Sequence, residues 1–129
     1  MNIDKNPKTT KVAGGILGID YGASRIGLAF GRDGIVAPLR VISGRDSLSA
    51  ITDILRLAKD YKASKIIIGL PLSASGKETP ESMEVRKFAK LLRARTQIPV
   101  LFINELYSSK EAFPMMLNAG ISQKSRRED

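Results

Sequence analysis

Apolar and polar positions along this chain fall into short runs whose period switches between strand-like and helix-like spacing. The run GGILGIDYG closes on a single carboxylate, Asp20, and then glycine. In RIGLAFGRDGIVAPLRVI, Ile26, Leu28 and Phe30 alternate with Arg25, Gly27, Ala29 and Gly31, the two-residue period of a half-buried strand. Asp33-Gly34 is a two-residue hairpin signal, so this region predicts three successive strands. Asp46 or Ser47 then caps a helix that runs to about Tyr61, with Leu48, Ile51, Leu55 and Ala58 as its apolar stripe. KIIIGL is an unbroken, β-branched run suited to a strand buried on both faces. PLSASGKETP is a loop by its Pro, Gly and Ser content. A second helix over about 81–95 turns Val85, Phe88, Leu91 and Leu92 inward and Arg86, Lys87, Lys90, Arg93 and Arg95 outward. Pro99 leads into VLFIN, predicted as another buried strand. Ser108 and Glu111 fit a capping box for a third helix, kinked near Pro114 and ending around Gly120.

Three strands followed by helix, strand, helix, strand and helix describe an antiparallel meander with two right-handed crossovers. The expected fold is α/β: a mixed five-stranded sheet with helices on both faces. Residues 1–12 are polar, contain Pro7 and show no periodicity, so they read as a mobile extension. Residues 13–129 then form one domain, as expected for a chain of 129 residues.

Composition narrows the chemistry. Cysteine and histidine are both absent, which removes disulfides, thiolate or imidazole zinc sites and any Ser-His-Asp triad. Lys and Arg outnumber Asp and Glu by 21 to 13, a formal charge of +8. Such a balance favours polyanionic partners through phosphate contacts, although a solubility role would leave the same trace. No run approaches the roughly 20 apolar residues that span a bilayer, and MNIDKNPKTTK lacks the apolar centre of a signal peptide. A cytoplasmic location without membrane contact is the expectation.

Ligands of open α/β sheets collect at the carboxyl ends of strands. Three such ends stand out: Asp20, the loop from Pro71 to Lys77, and Asn104-Glu105. A carboxylate directly after an apolar run is costly to desolvate unless it meets a cation or hydrogen-bond donors. Asp20 is therefore either a metal ligand or a turn cap. Glu105 could share a hard cation with Asp20 if their strand ends are neighbours, or merely favour the positive end of the third helix. Lys77 and the backbone amides of GLPLSASGK could hold an anion, but the spacing is not that of a phosphate-binding loop. Arg86 and the tail residues Lys124, Arg126 and Arg127 are either phosphate contacts or solvated cations.

Taken together, GILGIDYGASRIGLAF, IIIGLPLSASGKE, the VRKFAKLL helix and IPVLFINELYSSKEA resemble the YqgF (RuvX) family, from about Gly15 to the end. The resemblance implies a ribonuclease H-like fold and metal-dependent phosphodiester hydrolysis in 5′-end processing of pre-16S rRNA, with Mg²⁺ or Mn²⁺ as cofactor. On it, Asp20 matches the family's first-strand aspartate, Arg25 its basic residue in the second motif, and Gly69, Leu70, Pro71 and Gly76 its GLP loop. Two features depart from the pattern. The family's Asp-Glu-Arg triplet reads here Asn104, Glu105, Leu106, and the chain stops at Asp129, where the family's last helix begins. Asp129 is thus the candidate for the family's last acid, and the domain is expected to lack that helix.

Three functions follow. A nuclease would use Asp20, Glu105 and Asp129 as catalytic acids, the first two as metal ligands. Arg25, Lys77, Arg86 and the tail cations would hold RNA or branched DNA, as in a Holliday-junction resolvase. A non-catalytic nucleic-acid binder would keep fold and charge with degraded acids, as Asn104 suggests. A sugar-kinase or actin-type ATPase needs two duplicated domains, which 129 residues do not hold.

Overall fold

A computed structural model describes residues 14–104. The expected N-terminal extension, the third helix, Glu105, Asp129, Lys124, Arg126 and Arg127 lie outside the described residues. Strands β1 (Gly15–Asp20), β2 (Arg25–Arg32) and β3 (Ile35–Ser43) come first, then helix α1 (Ser47–Asp60), β4 (Ala63–Leu70), α2 (Pro80–Arg93) and β5 (Val100–Asn104). They form a five-stranded sheet in the order β3-β2-β1-β4-β5. The β1–β2 and β2–β3 pairs are antiparallel, and β1–β4 and β4–β5 are parallel. This is the mixed α/β sheet of the ribonuclease H-like fold.

Local chemistry accounts for most boundaries. Asp33 and Gly34 turn β2 into β3 with φ of 54° and 83°, the left-handed pair that a two-residue hairpin requires. The Asp46 carboxylate caps α1 by accepting from the amides of Leu48 and Ser49 at 3.2 and 3.3 Å. Helix α2 starts one residue earlier than the spacing predicts, because Thr79 caps it and Pro80 occupies its first turn. Thr79 and Ser82 exchange amide-to-hydroxyl bonds of 2.8 and 3.0 Å, which explains a fully buried serine on the apolar stripe.

Both described helices pack on one face of the sheet; the third helix of the expected two-sided arrangement lies outside the described residues. Their buried side chains join Leu17, Ile19, Ile66 and Ile68 in a single core cluster. The cause is topological: β3 to β4 and β4 to β5 step across the sheet in the same direction. Crossovers of one hand then return over the same face. The other face carries a smaller cluster of Ile16, Ala29 and Ile67, with Val36 and Ile103 against it.

The stripes are rotated from those predicted. In α1 the buried residues are Ala50, Ile51, Ile54, Leu57 and Ala58, while Leu48 is 50% exposed. Leu48 and Leu55 lie roughly 120° and 100° around the helix from Ile54, on its flanks. Leu91 is likewise off the α2 stripe and exposed. VLFIN is one of the two edge strands among the described residues rather than a fully buried one; Val100 is buried, whereas Leu101 and Asn104 are exposed.

Candidate active site

Asp20 is the last residue of β1 and alternates with Ile19, whose side chain is fully buried beneath the helices. The period of two therefore turns Asp20 to the opposite sheet face. Its antiparallel partner is Gly27, and it follows the Ile19–Ile68 pair on the β4 side, level with Gly69. Two residues back along β1 stands Gly18. Three glycines thus surround the carboxylate on its own face, and none of them contributes a side chain. A Cβ placed on Gly27 would meet the Asp20 Cβ at 3.7 Å, an ordinary contact, so sterics between these two residues do not require the glycine.

The strand end is fixed from the helical side. Tyr21 directs its ring onto Phe88 of α2, with centroids 4.7 Å apart. Burial, and secondarily the charge of Glu84, raises the Tyr21 phenol above its usual pKa and keeps it neutral. The turn that follows is tight. A Cβ on Gly22 would lie 2.7 Å from the Arg25 carbonyl oxygen, and the Gly44 amide donates to the Ser24 carbonyl at 2.9 Å. GIDYG therefore couples an anchored tyrosine to an outward aspartate across one peptide bond.

A groove of about 530 Å³ opens beside Asp20 over β2 and β3. Arg25 lines it on the Asp20 face, Asp20 is the one acid among its lining residues, and Ala29, Pro38 and Val41 form an apolar floor. Arg25 lies on the same face as Asp20, two residues from its partner Gly27, a diagonal of about 7–8 Å between backbones. The structure therefore brings Asp20 and Arg25 together. Arg40 also lines the groove, but it pairs with Leu28 of the core, so its side chain belongs to the helical face. β3 carries a β-bulge here: the pairing jumps from Ala29–Pro38 to Leu28–Arg40, leaving Leu39 as the extra residue.

Lys77 sits in the loop after β4, at the same end of the sheet as Asp20. That loop is closed by its own bonds. The Lys77 amide donates to the Ser73 hydroxyl at 3.0 Å, the Ser73 amide donates to the Lys77 carbonyl at 2.9 Å, and Gly76 adopts φ of 83°. The Thr79 hydroxyl donates to the Pro71 carbonyl at 2.9 Å and ties loop to helix. The Lys77 side chain is exposed.

Arg86 is placed differently, on the helical side of the sheet. Its Nε and Nη2 donate to the Glu78 carboxylate at 2.9 and 2.7 Å, and its guanidinium lies 5.2 Å from the Phe102 ring centre. The Arg86 and Ser82 hydrogen bonds hold the Glu78 carboxyl below its ordinary pKa. Arg93 stacks on the same ring at 4.9 Å and donates to the Val100 carbonyl. The structure does not bring Arg86 to Asp20.

Among the described residues no group of three or more His, Cys, Asp or Glu side chains is arranged to hold a metal ion. Asp20 is the described carboxylate at the carboxyl ends of β1, β4 and β5. Asn104, where the family pattern has an acid, ends β5 opposite Leu70.

Residues 14–129 match the family model described as RuvX, Holliday junction resolvase. A Syntrophomonas wolfei protein named "Putative pre-16S rRNA nuclease" is 37% identical over 115 residues, covering 88% of this chain and 82% of its own. An Oleidesulfovibrio alaskensis protein of the same name is 38% identical, covering 85% of this chain and 78% of its own. Solved structures share the fold at low identity. Archaeoglobus fulgidus Pelota superposes with a TM-score of 0.57 at 10% identity, covering 94% of this chain and 36% of Pelota. The large terminase nuclease of phage G20c gives 0.51 at 13%, covering 87% of this chain and 55% of that protein. With the GIDYG and GLP motifs at the carboxyl ends of β1 and β4, and a family match that runs from Gly14 to Asp129, the chain belongs to the RuvX family.

Proposed function

We propose that this protein is a metal-dependent nuclease that hydrolyses phosphodiester bonds in 5′-end processing of pre-16S rRNA, in the cytoplasm. The observation that carries the reading is the Asp20 carboxylate, held on a floor of glycines at the mouth of a groove that also presents Arg25. The names of the relatives favour RNA as substrate, and the family description favours branched DNA as the alternative. No helix among the described residues is long and apolar enough to cross a membrane.

The donor set fits a hydrated Mg²⁺ or Mn²⁺. Mg²⁺ keeps several waters and is commonly bound through one or two carboxylates plus substrate phosphate, so a lone Asp20 suffices as the protein's first ligand. Glu105 and Asp129 are the proposed further acids. When bound, the cation would supply Lewis-acid polarisation of the phosphate and would ease deprotonation of an attacking water. Asp20 would fix its place through the rigid end of β1. The Arg25 guanidinium would hold non-bridging phosphate oxygens, and Lys77 would draw the backbone toward the strand ends. An acid and a basic side chain on one bare strip of sheet separate cation binding from phosphate binding.

The test is a metal-titrated cleavage assay on a pre-16S leader RNA and on a four-way DNA junction. Mg²⁺- or Mn²⁺-dependent cutting of the RNA leader supports the reading. Cutting of the junction alone would transfer it to DNA. Binding without cutting of either substrate, even after Asn104→Asp, would instead establish a non-catalytic binder, the reading that Asn104 favours.

A further inference from the structure

We propose that Thr79 is a positioning residue: its hydroxyl holds the 71–77 loop at the carboxyl end of β4, and so sets where Lys77 meets the nucleic-acid backbone. This rests on the nuclease reading and extends it to the group that orients one of its phosphate contacts. β4 runs parallel to β1, with Ile68 paired to Ile19, so the loop leaves the sheet at the end where Asp20 lies. A helix cap needs only an acceptor, and Thr79 supplies one to the Ser82 amide at 3.0 Å. The hydroxyl proton is left over for a second bond, and it is donated to the Pro71 carbonyl at 2.9 Å.

The loop between these two residues moves as a unit if it moves at all. Ser73 and Lys77 each donate an amide to the other residue, and the Gly76 amide donates to the Ser73 carbonyl at 2.8 Å. Leu72 packs against the core on one side, and Glu78 is held by Ser82 and Arg86 on the other. Arg86 in turn lies over the Phe102 ring of β5. The Thr79 bond closes this frame across eight positions, fastening the first residue of the loop to the cap of α2. Lys77 is exposed, so its reach is set by where the frame holds its backbone.

The experiment measures affinity of the full chain for a single-stranded leader RNA between about 50 and 200 mM salt, at a temperature where melts show every protein folded. Thr79→Ser, Thr79→Asp, Thr79→Val and Lys77→Ala are compared with the parent, and the Asp and Val changes are repeated in the Lys77→Ala background. Thr79→Ser keeps donor and acceptor and should match the parent. Thr79→Asp keeps the cap but turns an acceptor toward the Pro71 carbonyl, whereas Thr79→Val removes both bonds with little change in shape. Lys77→Ala should weaken binding on the order of fivefold and reduce the salt slope by about 0.7, the value of one lost phosphate contact on a single strand. Thr79→Asp and Thr79→Val should each weaken binding at least about twofold, with nothing further lost in the Lys77→Ala background. The charge that Thr79→Asp adds acts in both backgrounds, so the cycle separates it from a displaced loop. Parental affinity in either Thr79→Asp or Thr79→Val would overturn the proposal and leave Thr79 a helix cap. So would losses that persist undiminished in the Lys77→Ala background, or a Lys77→Ala protein that binds with the parent's slope. If the parent itself binds neither RNA nor DNA, the nuclease reading falls, and this proposal with it.

Discussion

Gly27 separates the demands of folding from those of the site. Its backbone φ is not positive, and a Cβ there meets only the Asp20 Cβ, at 3.7 Å. Gly27→Ala therefore introduces no clash. By restricting the unfolded chain it should raise stability by about 0.4–1 kcal/mol, a Tm increase of roughly 1–6 °C. Gly27→Val carries the same backbone logic and a better strand propensity, but its branched methyls project onto the sheet face beside the Asp20 carboxylate. The variant should melt no lower than the parent yet lose at least about tenfold in metal-dependent cleavage, because a cation and its waters would meet hydrocarbon where the floor is now bare. Gly22→Ala is the contrast. Its Cβ would sit 2.7 Å from the Arg25 carbonyl oxygen, so the backbone must shift at a cost of about 1–3 kcal/mol. Thermal melts of all three variants, read beside cleavage rates, give the comparison. A Gly27→Val protein that folds and cuts like the parent would refute the placement of the reacting phosphate beside Asp20.

Two further outcomes follow from the packing. Phe88→Ala removes a fully buried ring and the support beneath Tyr21, and should cost about 3–5 kcal/mol in urea unfolding; a loss under about 1 kcal/mol would show that the core does not depend on that contact. The Glu78 carboxyl is depressed below its ordinary value of 4.5, so the folded state binds its proton less tightly than the unfolded state. The contribution of the Glu78–Arg86 pair is thus complete above about pH 4.5 and lost as pH falls through the lower folded value; Glu78→Gln should flatten that acid limb, and high salt should shrink the difference.

Much of the fold is legible in the alternation of single positions. Ile26, Leu28 and Phe30 against Gly27, Ala29 and Gly31 define β2 and its two faces, and Asp33-Gly34 fixes the hairpin because few other pairs accept its dihedrals. Asp20 could be placed at a strand end for the same reason: an apolar run cannot continue through a carboxylate at no cost. What the alternation does not carry is the side of the sheet on which helices return. That depends on strand order, and a meander followed by crossovers in one direction puts α1 and α2 together. Helix stripes were legible only to within about one flank, since Leu48, Leu55 and Leu91 are apolar without facing the core squarely. The bulge at Leu39 was invisible because strict alternation gives no sign of one, and Pro38 is its one local hint. Arg86 looked like a free cation because the sequence does not show that Glu78, eight residues away, folds back onto it.

The central claim is that Asp20 is the carboxylate on which cleavage depends, and Asp20→Asn tests it most directly. The substitution removes one negative charge with almost no change in volume, and an amide retains much of the hydrogen-bonding capacity of the strand-end carboxylate. Single-turnover cleavage of pre-16S leader RNA in Mg²⁺ should fall on the order of a hundredfold or more, while RNA affinity is kept or increased and the melting temperature is held. Asp20→Asn protein that is folded, binds the RNA and cuts it at the parent's rate would contradict the account.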